Sequence, residues 1–494
     1  MSEMVPAFAS ATDRETLVRL FDAAGYHELR LCELLGPDAA SPRLPDAAVL
    51  RRRTASDPVA GLLVRLLGAG DAVPRTELSA AFGESGVHLL EGVGLVESVV
   101  SSGESGPSVL ATVRLVPAGT RWIASDRRDR HFTGASDFVP GPSPVSRHLA
   151  ALLIPRPVES ALDLGCGSGV LTLGLSEHAR RVVAADLNPR AVAMTRFSAA
   201  LNGVDRIETR TGDLFEAVRG ERFELIVCNP PFVLSPRPTY MYRDGGASLS
   251  RRIVREAPNH LADGGTLQML CNWPQCAGQD WRAELDRWFE GCPCDAWVLR
   301  ESSLDALSYA SVWLGQQYPE GIPGTVLDDW MDYFAREGIA SVGGGLVVLR
   351  SVSGRSPWHE FRDMPPLAQP VGEAIARTCE ARDRALRMAT DDELLAARWR
   401  PSPDLEYRAA QRPDGNGWTV AESRLTLRAG LQFVMQADPI AAEIVGRLDG
   451  RRSLHEAVQA FASDHDVSAD DFLPNLPAAF RALIWLGLVL PADS

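Results

Sequence analysis

Short apolar runs alternate with helical patterns between Ser160 and Phe232. Ala161-Leu162-Asp163-Leu164 runs into Gly165-Cys166-Gly167-Ser168-Gly169, followed by the helical stretch Val170 to Leu175. Arg181 to Ala185 is a second apolar run, closed by Asp186, and a helix is predicted from Arg190 to Asn202. Ile207 to Thr211 ends at Gly212-Asp213-Leu214, and Phe223 to Cys228 leads straight into Asn229-Pro230-Pro231-Phe232. Near-continuous apolar strands separated by helices are what a parallel sheet covered on both faces requires. The pattern continues through a polar loop (Ser235 to Gly246), a helix (Leu249 to Leu261), a fifth strand (Thr266 to Cys271) and a helix (Trp281 to Phe289). A strand at Ala296 to Arg300, an insertion from Ser302 to about Glu337 and a seventh strand at Ser341 to Val352 complete it.

The flanks follow other patterns. Toward the amino end a helix is predicted near Arg14 to Ala24. Helices follow through Leu63 to Leu67, from Pro74 and around Val87 to Val93, then strands at Leu95 to Val100 and Val109 to Val116. That is the order of a winged helix. Its third helix, Ser85 to Glu91, offers no arginine or amide to reach base edges, which favours a docking or dimerising role over DNA reading. Arg127, Arg128, Arg130 and His131 make the Arg121 to Pro144 connector the most basic part of the first half. Past Arg355, a Pro-rich stretch from Met364 to Pro370 marks a boundary and Val371 to Arg398 reads as one long amphipathic helix. Three further helices follow, near Asp438 to Val445, after Ser453 and from Ala478 toward Leu490; they resemble the small winged-helix domains of the PqqD type. The division expected is 1–125, 126–355 and 356–494.

Composition narrows the chemistry. The 494-residue chain has no lysine, which excludes lysine-based catalysis, and its net charge of −14 is spread without long blocks. Broad, salt-driven nucleic-acid binding by the whole surface is therefore not expected. No stretch approaches a membrane span in length, and eight mostly isolated cysteines suit a reducing compartment, so a soluble, cytoplasmic protein is expected. Cys271, Cys276, Cys292 and Cys294 lack the usual zinc-knuckle spacing, and no metal site is expected.

Every residue suited to holding a ligand falls at the carboxyl end of a predicted strand, where open α/β sheets bind ligands. Gly165, Gly167 and Gly169 let a ligand approach the backbone, and Asp163 stands at the entry to that turn. Asp186 is placed to accept hydrogen bonds from two ribose hydroxyls, and Asp213 to cap an adenine edge. The whole arrangement resembles the class I S-adenosylmethionine-dependent methyltransferases. Asn229-Pro230-Pro231-Phe232 resembles the signature of those that methylate planar amino or amide nitrogens: release-factor glutamine methyltransferases (the HemK family), ribosomal RNA guanine methyltransferases of the small-domain type, and adenine methyltransferases. The resemblance covers roughly Phe132 to Arg350.

It implies an α/β, Rossmann-like, seven-stranded methyltransferase sheet, flanked by an N-terminal winged-helix-like domain and a C-terminal, mostly helical one. It also implies S-adenosylmethionine as cofactor, bound by Asp163, Gly165, Gly167, Gly169, Asp186, Asp213 and Asn229. A conjugated –NH2 is a poor nucleophile, so the Asn229 oxygen and the Pro230 carbonyl would hold its two N–H bonds while the nitrogen pyramidalises. Pro231 stiffens the corner and Phe232 offers a stacking face. Tyr240, Tyr242 and Arg243, in the loop after this corner, are candidate substrate contacts. Phe132-Thr133-Gly134 and Phe138 to Pro144 resemble a segment that passes over the cofactor. The expected activity is N-methylation of a macromolecule, with protein glutamine ahead of a guanine or adenine in RNA. The remaining alternatives are a binding scaffold with a vestigial cofactor site and, as a further association, a dimer through a winged helix.

Overall fold

The computed structural model describes residues 5–36, 47–99, 107–132, 135–236, 247–413, 415 and 417–492. Contacts group the chain into two units, Met1–Ala150 with Pro157–Arg362, and Ala151–Arg156 with Asp363–Ser494.

In the first unit the site is carried by one sheet. Its strands are β1 (Val158–Leu164), β2 (Ala179–Asp186), β3 (Ile207–Thr211), β4 (Phe223–Cys228), β5 (Leu261–Cys276), β6 (Cys294–Asp305), β7 (Ile339–Ser351) and β8 (His359–Asp363). They lie in the order β8-β6-β7-β5-β4-β1-β2-β3. From β5 to β3 neighbouring strands are parallel; β7 runs antiparallel to both β5 and β6. The order reverses between β1 and β4, and the two strands end at Leu164 and Cys228, paired in register. The glycine turn and the Asn229 corner therefore emerge side by side at the switch point, the place where open α/β sheets bind ligands.

Seven strands were expected and eight form, because His359–Asp363 adds a short edge strand beside β6. β3 and β4 have the expected bounds, whereas β5, β6 and β7 run longer than their apolar cores. Their extra length is three-stranded pairing beyond the expected runs, with Gln275 and Asp305 on either side of Ser341. Gly343 in β7 makes this register feasible. A Cβ there would come within 2.6 Å of the Trp273 ring, which is fully buried.

The insertion after β6 is two helices, Ala306–Gln317 and Gly324–Glu337. Tyr309, Leu314, Trp330 and Phe334 from them join the same core as β4, β5 and β7. The amino-terminal module has helices from Ala11 to Val93 and a three-stranded sheet in the order Val73–Pro74, Ser108–Ala111, Val96–Val99. Its core also takes in Ala191, Met194, Phe197 and Leu201 from the helix Pro189–Leu201, so it covers one face of the large sheet's helical layer.

The second unit departs most from the sequence-based expectation. The single helix expected from Val371 to Arg398 is two, Val371–Leu386 and Asp391–Ala396. Thr390 and Glu393 form a capping box that starts the second helix afresh. A sheet that the pattern did not predict follows: β9 (Leu405–Pro413), β10 (Trp418–Leu427) and β11 (Val434–Gln436), in that order. Helices Pro439–Gly446, Leu454–Asp464 and Leu476–Trp485 then close a core around Trp399, Phe461 and Phe480.

Candidate functional site

The glycine turn owes its shape to backbone that other residues rarely adopt. Gly165, Gly167 and Gly169 have φ of +80°, +54° and +86°, a region where a β-carbon is disfavoured. A Cβ on Gly165 or Gly167 would meet no protein atom within 4 Å, so the space above the turn is free for a ligand. The turn is tied to β2 by the Gly165 and Cys166 N–H groups, which donate to the Ala185 carbonyl at 2.8 and 3.0 Å.

Asp186 completes that tie. One carboxylate oxygen accepts from the Gly167 N–H at 2.9 Å and the other from the Asn188 N–H at 2.8 Å. Burial pushes its pKa above the usual carboxylate range, and these two backbone donors oppose the shift. Each oxygen keeps a lone pair for a further donor. Asp163 is fully buried behind the turn, where the Thr172 hydroxyl donates to it at 2.5 Å. Desolvation is the main reason its pKa rises to about 7. Asp213 is half-exposed and pairs with Arg252 at 2.7 Å.

The segment ahead of the first helix is pinned next to Asp186. The Asn188 side-chain amide donates to the Asp137 carbonyl at 2.8 Å. The Val139 N–H donates to Asp126, and Asp126, fully buried, is paired with Arg190 at 2.6 Å. Arg127 and Arg130, from the basic connector, turn to Asp129 and to Asp126 and Asp137 respectively. These arginines hold the segment rather than present a basic patch.

At the end of β4, Asn229 is half-buried, Pro230 buried, Pro231 exposed and Phe232 half-buried. The Asn229 Oδ1 atom is buried and has no hydrogen-bond partner among the described residues. A buried carbonyl oxygen left without a donor costs about 1–3 kcal/mol. The atom is therefore an acceptor left open among the described residues. Phe232 meets the edge of Trp313 at 6.1 Å and 70°.

Tyr309 is the residue that sequence reading did not single out. Its hydroxyl oxygen accepts from the Leu234 N–H at 3.1 Å and from the Asn272 side-chain amide at 2.8 Å. The chain just beyond Phe232 is thus fastened to β5 and to the insertion helix. Tyr309 and Trp313 are four apart and share one face of that helix, a spacing that would have signalled the pair. Tyr240, Tyr242 and Arg243 lie outside the described residues.

Residues 144–293 match the family model of the methyltransferase small domain. They are a class I S-adenosylmethionine-dependent methyltransferase domain. Residues 380–491 match a second family model, a domain of unknown function designated DUF7782. The ribosomal RNA small subunit methyltransferase C of Alcanivorax borkumensis is 34% identical over 111 residues, which are 22% of this chain and 31% of that protein. The protein of the same name from Salmonella arizonae is 33% identical over 132 residues, 26% of this chain and 35% of its own. The chain thus spans about a third of the length of these curated relatives. Among solved structures, the YcgJ protein of Bacillus subtilis aligns with a TM-score of 0.31 and 15% identity, covering 42% of this chain and all of its own. A methyltransferase from Pyrococcus furiosus aligns with a TM-score of 0.28 and 15% identity, covering 43% and 84%.

The residues of the methyltransferase domain fit its cofactor. The turn leaves open space where a Cβ would stand, and Asp186 offers acceptors at the end of β2.

Proposed function

We propose that the chain methylates an exocyclic amino nitrogen of a nucleobase in RNA. The observation that carries this reading is the Asn229 Oδ1, buried and without a donor, at the carboxyl end of β4. An amino group conjugated to a ring keeps its lone pair in the π system and must pyramidalise to react. Asn229 would accept one N–H and the Pro230 carbonyl the other, turning the lone pair out of the ring plane. Phe232, braced by Trp313, would stack on the base. S-adenosylmethionine, when bound, supplies an electrophilic methyl on sulfonium. The amino nitrogen held by Asn229 and Pro230 would take that methyl, the sulfonium leaving as a neutral thioether, and would then lose its proton to water. No residue need act as a general base, so catalysis here is positioning.

Protein glutamine was the sequence-based preference, and the proposal departs from it. That preference rested on the acidic surface and the unpromising winged helices. The curated relatives that match over part of the chain are ribosomal RNA methyltransferases, which favours RNA. The test is transfer of labelled methyl to ribosomal subunits and to release factors, followed by nucleoside and peptide mass spectrometry. Label in a methylated nucleoside, abolished by ribonuclease treatment, is expected; label only in glutamine would overturn the reading.

A further inference from the structure

The turn that enters β6 brings two thiols and an imidazole together. β6 and β5 both run antiparallel to β7, so β6 shares the direction of β5, β4 and β1, and its first residue lies at the end of the sheet opposite the glycine turn. The helix Ala283–Phe289 stops at Glu290, and Gly291, with φ of +71°, turns the chain. The Cys292 N–H donates to the Phe289 carbonyl at 2.9 Å, and Cys294 opens β6, paired with Ser351 of β7. Only Pro293 stands between the two cysteines.

β8 starts at His359 and lies beside β6, where the Ala296 N–H donates to the Trp358 carbonyl at 2.9 Å. The His359 ring is 5.9 Å from the Phe289 ring, on the same turn as Cys292. The Cys292 side chain is thereby within hydrogen-bonding reach of the Cys294 thiol and of the His359 imidazole. Access differs between the thiols: Cys292 is half-buried and Cys294 buried. Contact with Cys294 and then with His359 holds the Cys292 thiol well below the usual thiol range, while contact with Cys292 raises both Cys294 and His359. Among the described residues no group of three or more His, Cys, Asp or Glu side chains is placed to hold a metal ion. An accessible thiolate beside a cation, with a second thiol next to it, is the arrangement of a cysteine that reacts with peroxides.

We propose that Cys292 is a site of reversible oxidation by hydroperoxides, with Cys294 as its resolving partner. The Cys292 thiolate attacks the terminal oxygen of the hydroperoxide and the O–O bond breaks. The alkoxide or hydroxide that leaves takes a proton from the His359 imidazolium, and Cys292 becomes a sulfenic acid. Cys294 then attacks that sulfur; an S–S bond forms, and the hydroxide leaves with the Cys294 proton as water. An external dithiol returns both thiols by exchange.

The test uses the full-length chain, with the exposed Cys32 as internal reference. At pH 6, iodoacetamide should label Cys292 about tenfold faster than Cys32, its larger thiolate fraction outweighing its weaker nucleophilicity. His359→Ala should remove most of that difference without lowering the unfolding temperature. Hydrogen peroxide should leave the tryptic peptide Trp288–Arg300 of the wild type two hydrogens lighter, a change that dithiothreitol reverses. In Cys294→Ser the reaction should stop at a sulfenic acid that dimedone traps on Cys292. Labelling of Cys292 no faster than Cys32 in the wild type would overturn the proposal, as would peroxide treatment that oxidises Cys32 and leaves Cys292 reduced. So would protection of both thiols by one equivalent of zinc, which would assign the cluster to a metal.

Discussion

The Asn229–Leu234 corner and the β9–β10 arm are both built on strands, yet they solve opposite problems. At the corner the backbone N–H of Leu234 is spoken for by Tyr309, Val233 and Leu234 are fully buried, and the Asn229 side-chain oxygen is left open among the described residues. On the arm nearly every side chain faces water and little holds any of them. A group that must bend a planar amino nitrogen needs fixed placement, because a small displacement loses the alignment on which the rate depends. Rigid packing therefore marks where chemistry is proposed.

The comparison breaks most sharply at Asn229. Asn229→Ala should cut turnover by about two to three orders of magnitude, the usual effect of losing one preorganised hydrogen bond, with S-adenosylmethionine affinity by calorimetry unchanged. Turnover at the wild-type level would mean that Asn229 only shapes the end of β4.

Asp186→Ala is expected to act on the cofactor instead, weakening it by about 1.5–3 kcal/mol, the range for hydrogen bonds to a charged group. Calorimetry showing equal affinity would remove Asp186 from the site.

Tyr309→Phe sharpens the contrast between pinning and touching. The ring and its packing stay, while Leu234 N–H and the Asn272 amide lose their shared acceptor. Turnover should fall about tenfold, from roughly 1–3 kcal/mol of unsatisfied polar groups beside the corner, with KM and cofactor affinity held. A fall in the unfolding temperature alone, with kcat intact, would make Tyr309 merely a core residue.

The smallest effect is one of pH. The folded-state pKa of Asp163 is about 7, above the value of about 3.9 in an unfolded chain. The stabilising bias toward the protonated form is complete below about pH 4 and is lost as pH rises through about 7. Asp163→Asn should thus gain in unfolding temperature over wild type as pH is raised across that window; parallel curves would contradict it.

How much of this was legible varies with what the local pattern carries. β3 and β4 appear with the bounds read from the chain, and Asp186, Asp213 and Asn229 each stand at or just past a strand's end. Strands buried on both faces announce themselves as apolar runs, and glycine announces positive φ. β9 and β10 were missed because their outer halves are exposed on both faces and show no alternation.

By itself the sequence determined the parallel core, the glycine turn and the four-residue corner, since each depends on residues close together in the chain. Tertiary structure alone decided that Tyr309, 75 residues past Leu234, would hold that corner, and that Trp313 would brace Phe232. It likewise decided that Asp126 would be buried against Arg190, 64 residues further along the chain. A hydrogen bond or ion pair between distant residues leaves no periodic trace in either partner, and only the packing that closes the loop between them chooses it.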